Sequence, residues 1–106
     1  MKSLMPYGLS EKYLAELREI FASIPQIETV VLYGSRARGD YHDRSDIDLS
    51  LKGEGLTSHH LTLFEDCYYH SKIPYLHDAN LYDAIRSADF KMNIDRDGVV
   101  IYRRAT

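Results

Sequence analysis

The sequence contains no tryptophan, few prolines and a single cysteine, Cys67, among its 106 residues. One cysteine excludes an internal disulfide and a zinc site built from cysteines. Apolar runs are short, as in Val30 to Tyr33, whereas a helix that crosses a bilayer needs roughly 20 apolar residues. The N-terminus lacks the apolar core of a signal peptide. We therefore expect a cytoplasmic protein that makes no membrane contact.

The sequence also lacks an excess of basic residues, since 13 lysines and arginines face 16 acidic residues for a net charge of −3. Proteins that bind nucleic acid usually present a basic face, so we predict no direct contact with nucleic acid. The length and the 44% share of apolar residues are typical of one globular domain. We predict a single domain over residues 1–106, in which residues 1–8 form a flexible arm because Pro6 and Gly8 interrupt regular structure.

Helical and strand patterns alternate along the chain. Capping residues precede apolar residues at helical spacing at three places, Ser10, Thr57 and Ser87. Four β-rich segments lie between the helical ones, at residues 27–33, 46–51, 75–82 and 99–102. With a short helix or turn between Gly34 and Gly39, the order predicts an α/β (α+β) fold, a small mixed sheet flanked by helices.

The first candidate functional feature is Gly34-Ser35, at the end of a buried strand and the start of a helical turn. Glycine has no Cβ, so a ligand can approach its backbone closely. The free amides at a helix N-terminus favour an anion such as phosphate, and a serine hydroxyl adds a donor. A glycine-serine pair at a strand end more often forms only a turn. It indicates a phosphate site only when a second functional feature accompanies it.

The second feature is the pair Asp46 and Asp48, which are separated by Ile47. Residues two apart on a strand share a face, so both carboxylates project to one side while Ile47 and Leu49 project into the core. Neighbouring carboxylates repel each other unless a cation lies between them. Mg²⁺ prefers such oxygen ligands and completes its shell with substrate phosphates.

The spacing between the two features links them. Ten residues, 36–45, separate Ser35 from Asp46, which is enough chain for a short helix and a return. The second strand can then lie beside the first, and the phosphate-binding turn can face the same pocket as the carboxylates. Phosphoryl or nucleotidyl transfer requires hydrogen-bond donors that hold the phosphates and, opposite them, acidic residues that bind a metal ion.

Together, Gly34-Ser35, the ten-residue gap and Asp46-Ile47-Asp48 resemble the signature of the polymerase β-like nucleotidyltransferases. The resemblance runs from about residue 28 to the C-terminus. The chain is similar in length to the smallest branch of that superfamily, the minimal nucleotidyltransferases (MNT), which include antitoxins of HEPN–MNT toxin–antitoxin pairs. The resemblance implies a polymerase β-like nucleotidyltransferase core.

The resemblance also implies a third carboxylate on a neighbouring strand, at Asp78 in the segment 73–82. His77, Ala79 and Asn80 stand where apolar neighbours of that acid are expected, so Asp83 remains a rival. In such a site Asp46, Asp48 and Asp78 would be catalytic and would hold two Mg²⁺ ions. The third acid could also take the proton of the attacking hydroxyl as a general base.

The substrate implied by the resemblance is ATP, with Gly34 and Ser35 at its phosphates. Arg36 and Arg38 are further candidates, because guanidinium groups pair with phosphate oxygens. For Arg38 a solvated role beside Asp40 is an equal alternative.

We predict a Mg²⁺-dependent protein adenylyltransferase, because the resembling antitoxins transfer AMP from ATP to a tyrosine of a HEPN-domain toxin. The expected partner is such a toxin, in a hetero-oligomer. Two alternatives remain open. One is a non-catalytic antitoxin that neutralises its toxin by contact, and the other is a nucleotidyltransferase for small molecules of the aminoglycoside type.

Overall fold

A computed structural model describes residues 6–105. It confirms the predicted alternation of helices and strands, and it adds two short 3₁₀ turns, Pro6–Gly8 and Tyr82–Ala84. The elements in chain order are α1 (Glu11–Ala22), β1 (Thr29–Tyr33), α2 (Ser35–Arg38), β2 (Ile47–Lys52), α3 (Ser58–Tyr69), β3 (His77–Leu81), α4 (Ala88–Asp97) and β4 (Val99–Arg103). None of the helices within this range has the length and apolar character that a membrane crossing requires.

The three longer helices begin at the predicted capping residues. The Ser10 and Ser87 side chains accept hydrogen bonds from backbone amides three residues ahead, at the starts of α1 and α4. Thr57 forms a reciprocal capping box with His60 at the start of α3. Each cap satisfies amides that have no partner inside the helix, so local sequence fixes where these helices start.

The four strands form one sheet in the order β3-β2-β1-β4. Strand β1 pairs antiparallel with both β2 and β4, while β2 and β3 run parallel. The prediction of a small mixed sheet is therefore confirmed. Strand β3 lies at one edge of the sheet and β2 lies inside it.

The two faces of the sheet differ in chemistry. Helices α1 and α3 pack on one side, where they enclose the main apolar core with alternate strand residues such as Leu32 and Leu49. On the other side a small cluster of Val31, Tyr33 and Ile94 joins β1 to α4. We call the first side the apolar face, and the second, which carries Asp48, the acidic face.

Residues 6–8 differ from the flexible arm expected over residues 1–8, of which 1–5 lie outside the described part of the chain. The segment Pro6–Gly8 forms a 3₁₀ turn, and the carbonyl of Tyr7 accepts a hydrogen bond of 2.9 Å from the Arg36 guanidinium. Leu9, which follows, is fully buried in the core. This burial and the arginine hold the segment against the domain despite its proline and glycine.

Candidate active site

Gly34 connects β1 to the short helix α2 in a conformation that needs glycine. Its φ is 76° and its ψ is −157°, a region that side chains with a Cβ rarely adopt. A Cβ at this position would also collide with a carboxylate oxygen of Asp48. The predicted turn and the predicted acidic pair therefore lie in contact, and glycine is what lets them do so.

The acidic residues meet through the register of the sheet. Asp48 is paired with Tyr33 on β1 and with Asp78 on the parallel strand β3. Asp46 precedes β2 by one residue and projects to the same side as Asp48. The rival, Asp83, lies in the turn after β3. The structure thus places Asp78, and not Asp83, opposite Asp48.

The electrostatics of Asp48 reflect this crowding. Partial burial, followed by the negative charges of Asp78 and Asp46, raises its pKa from the ordinary 3.8 to about 6, although Arg38 and Arg36 act in the opposite direction. A carboxylate with this pKa repels its neighbours once it ionises at neutral pH. A bound cation would relieve that repulsion.

The residues fit a magnesium site that a nucleotide completes. Within residues 6–105 no three acidic, histidine or cysteine side chains already stand close enough to enclose a metal ion. Yet the side-chain oxygens of Asp46, Asp48 and Asp78 make no hydrogen bond or ion pair with any other described residue. Mg²⁺ typically takes one or two protein carboxylates plus phosphate oxygens, so open acidic ligands suit it.

Arg36 requires a correction. Its side chain is only 1% exposed, and its Nε donates to the carbonyl of Ser45 at 3.0 Å while its Nη1 donates to that of Tyr7. Its guanidinium carbon lies 4.5 Å from the centre of the Tyr75 ring. The predicted direct contact with phosphate does not fit this placement, because the guanidinium is already held inside the protein. Arg36 instead fixes the residue that precedes Asp46.

Arg38 has the accessibility that Arg36 lacks. It is exposed and lies 3.4 Å from the carboxylate of Asp40. Its positive charge also lowers the pKa of Asp48 and of Asp97 at the end of α4, so it stands near the acidic face. Contact between Arg38 and phosphate stays a prediction.

Three polar residues of the acidic face were not singled out by the sequence. Tyr33 precedes Gly34, Ser50 follows Asp48 by two residues, and Asn80 follows Asp78 by two. The period of a strand was the available signal, because residues two apart share a face. Burial, followed by the charges of Asp48 and Asp78, raises the pKa of Tyr33 to about 12, so its hydroxyl stays protonated.

Comparison with known proteins places the chain in a family. The family model "Polymerase beta, Nucleotidyltransferase" matches residues 15–106. The chain therefore belongs to the polymerase β nucleotidyltransferase family. The matched region contains both the glycine-serine turn and the acidic pair. No curated protein matches the sequence.

Two solved structures share the fold. A toxin–antitoxin crystal structure with AMP-PNP superposes with a TM-score of 0.69 at 16% identity, over 85% of this chain and 73% of that one. A candidate nucleotidyltransferase from Sulfolobus solfataricus superposes with a TM-score of 0.56 at 26% identity, over 87% of this chain and 79% of that one. The observed four-stranded mixed sheet with its helices is thus the polymerase β-like architecture.

Proposed function

We propose that this protein is a Mg²⁺-dependent adenylyltransferase that transfers AMP from ATP to a tyrosine of a partner HEPN toxin, and so acts as an antitoxin. The observation that carries the proposal is the register of Asp48 and Asp78 beside Gly34. This register brings two acids, Asp48 and Asp78, opposite each other and beside an open backbone turn, an arrangement that suits nucleotidyl transfer. The structural likeness to a toxin–antitoxin with AMP-PNP supports the choice of nucleotide and partner.

The proposed reaction is an in-line displacement at the α-phosphorus of ATP. The phenolic oxygen of the acceptor forms a bond to that phosphorus, the bond to the bridging oxygen of the β-phosphate breaks, and pyrophosphate leaves. Asp78, on the exposed edge strand, takes the phenolic proton and passes it to solvent. Asp46 and Asp48 would hold a Mg²⁺ ion that accompanies the triphosphate.

When bound, Mg²⁺ supplies neutralisation of the triphosphate charge and a lower pKa for the attacking hydroxyl. The chain's own residues orient the reactants around it. The Ser35 hydroxyl has no hydrogen-bond partner among residues 6–105 and can donate to a phosphate oxygen. The missing Cβ of Gly34 leaves room beside Asp48. Arg38 adds positive charge at the rim, where a guanidinium can pair with phosphate.

A macromolecular acceptor is favoured by the openness of the site. Asp46 and Asp78 are both exposed, and their oxygens make no bond to other described residues. A side chain presented on the surface of a second protein can therefore reach them. In this respect the site differs from the enclosed pocket that usually surrounds a small substrate.

Incubation of the protein with α-labelled ATP, Mg²⁺ and the product of the neighbouring gene tests the proposal. We expect label on a tyrosine of that product and no label with Asp46→Asn. Absence of label on the partner with the wild-type protein would overturn the proposal. The variant Asp83→Asn is the matched control, because Asp83 lies outside the acidic cluster, and it should label the partner as the wild type does.

A contact-only antitoxin is the second candidate, and the exposed apolar surface beside β3 favours it. Tyr69 and Leu76 are 83% and 77% exposed, and both line one groove with His77 of β3. Exposed apolar patches commonly mark protein interaction sites. Under this candidate the double variant Asp46→Asn/Asp48→Asn still neutralises the toxin; under adenylylation it binds the toxin without neutralising it.

A further inference from the structure

The side chain of Tyr33 reaches across the acidic face. Its backbone on β1 is paired with Asp48 of β2, yet its hydroxyl is hydrogen-bonded to Asn80 on β3, two strands away. The ring therefore crosses β2 between Asp48 and Ser50. A serine at position 50 leaves space for this crossing, and Phe90 contacts the ring edge-on at 5.6 Å between centres.

A chain of two hydrogen bonds fixes the Tyr33 oxygen. The hydroxyl of Ser50 donates to the side-chain oxygen of Asn80 at 2.7 Å, and the amide nitrogen of Asn80 donates to the Tyr33 oxygen at 2.9 Å. Ser50 is fully buried and Tyr33 is 9% exposed. The Tyr33 oxygen is thus an acceptor, and its own hydrogen has no acceptor among residues 6–105.

A hydroxyl hydrogen that no protein group accepts is available to an acceptor that a ligand supplies. Tyr33 is paired with Asp48, and its hydroxyl is bonded to Asn80, two residues beyond Asp78 on β3. The proposed function places an oxygen-rich nucleotide and its cation on this same face. We propose that Tyr33 is a nucleotide-contacting residue, whose hydroxyl donates to an oxygen of the bound nucleotide. Asn80 and Ser50 are then positioning residues that act through Tyr33. This inference rests on the proposed function.

Calorimetric titration of the protein with AMP-PNP and Mg²⁺ tests the inference. The variant Tyr33→Phe keeps the ring and its contact with Phe90 but removes the donor. We expect it to bind about tenfold more weakly, as for the loss of a hydrogen bond to a charged group. The matched control is Tyr82→Phe, since the Tyr82 hydroxyl already donates to Asp95. It should bind like the wild type.

The thermal midpoint of each variant separates contact from folding. Tyr33→Phe should keep the wild-type midpoint within a few degrees while losing affinity. If it fails to fold, Asn80→Ala replaces it: this variant retains the hydroxyl but frees it, so affinity should fall severalfold. Wild-type affinity in whichever of these variants is folded would overturn the inference.

The titration of the wild-type protein distinguishes a failure of the Tyr33 inference from a failure of the proposed function. If the wild type binds AMP-PNP and Tyr33→Phe binds it equally, only the role of Tyr33 is refuted. If the wild type binds no AMP-PNP in the presence of Mg²⁺, the proposed function and the inference are both refuted.

Discussion

Strand β2 contributes alternate residues to the two faces of the sheet, which differ in chemistry. Along β2, Ile47, Leu49 and Leu51 are buried in the apolar core under α1 and α3, whereas Asp48 and Ser50 belong to the acidic face. The strand's period of two assigns neighbouring residues to packing and to the site in turn. Substitutions on the two faces should therefore have separable effects, on stability for one and on nucleotide chemistry for the other.

The largest effect that separates the faces is expected from Asp48→Asn. If the proposed function holds, loss of the central carboxylate should reduce the rate of transfer on the order of 10³-fold, because a metal ligand is then lost and metal ions typically supply several kcal/mol of transition-state stabilisation. The urea midpoint should stay the same or rise, since the acid repels its neighbours. Unfolding of this variant would contradict the separation of the faces.

The next effect concerns two arginines in one short helix. Arg36→Met should lower the free energy of unfolding by about 2–5 kcal/mol, because the carbonyls of Tyr7 and Ser45 lose their donors inside the protein. Arg38→Met, at an exposed position, should leave unfolding nearly unchanged and weaken nucleotide binding. Urea unfolding and calorimetry measure the two effects; equal losses of stability would refute the distinction.

Gly34→Ala should cost about 1–3 kcal/mol in stability from its backbone conformation alone. It should also weaken Mg²⁺-nucleotide binding, because the new methyl group meets the Asp48 carboxylate. Gly39→Ala is the matched control: its φ is 96°, but a Cβ there meets nothing within 4 Å. Both variants should lose stability, and only Gly34→Ala should lose affinity. Equal affinity in the two would contradict the contact with Asp48.

The smallest expected effect is a dependence on pH. Since the pKa of Asp48 is raised to about 6, protonation should weaken Mg²⁺-nucleotide binding as pH falls through 6. Without metal, protonation of Asp48 has the opposite effect on folding: it stabilises the folded protein. The folded state holds this proton more tightly than the unfolded state, so its contribution is present below about pH 4 and is lost as pH rises towards 6.

Titration of wild-type and Asp48→Asn proteins across pH 4 to 8 measures both effects. Asp48→Asn should flatten the stability change between pH 4 and 6, since asparagine does not titrate. An unchanged profile in this variant would assign the dependence to another group.

The sequence predicted the parts of the site that depend on local spacing. The turn at Gly34 and the alternation of Asp46, Ile47 and Asp48 follow from strand geometry, and the structure brings them together. Asp78 and Asp83 could not be separated in this way, because Asp78 lies within the predicted strand over residues 75–82 and Asp83 directly follows it. The parallel register of β2 and β3 separates them, and that register depends on the sheet order.

Arg36 and Tyr33 show what local spacing cannot supply. An arginine beside a phosphate-binding turn predicts a phosphate contact, but its burial depends on carbonyls at residues 7 and 45, far away in the chain. The reach of Tyr33 to Asn80 depends on a small residue at position 50 and on which strand lies between them. Both are consequences of tertiary packing.

The guanidinium of Arg36 links α2 to two other stretches of backbone, at Tyr7 and Ser45, and the second leads directly into Asp46. A displacement of the N-terminal turn is therefore passed through the Arg36 side chain to Ser45, the residue before Asp46. A purification tag or fusion partner at the amino end lies close in sequence to this turn, so it is the addition that can disturb the Arg36 contacts. Recombinant protein for the assays above should carry its tag at the carboxyl end.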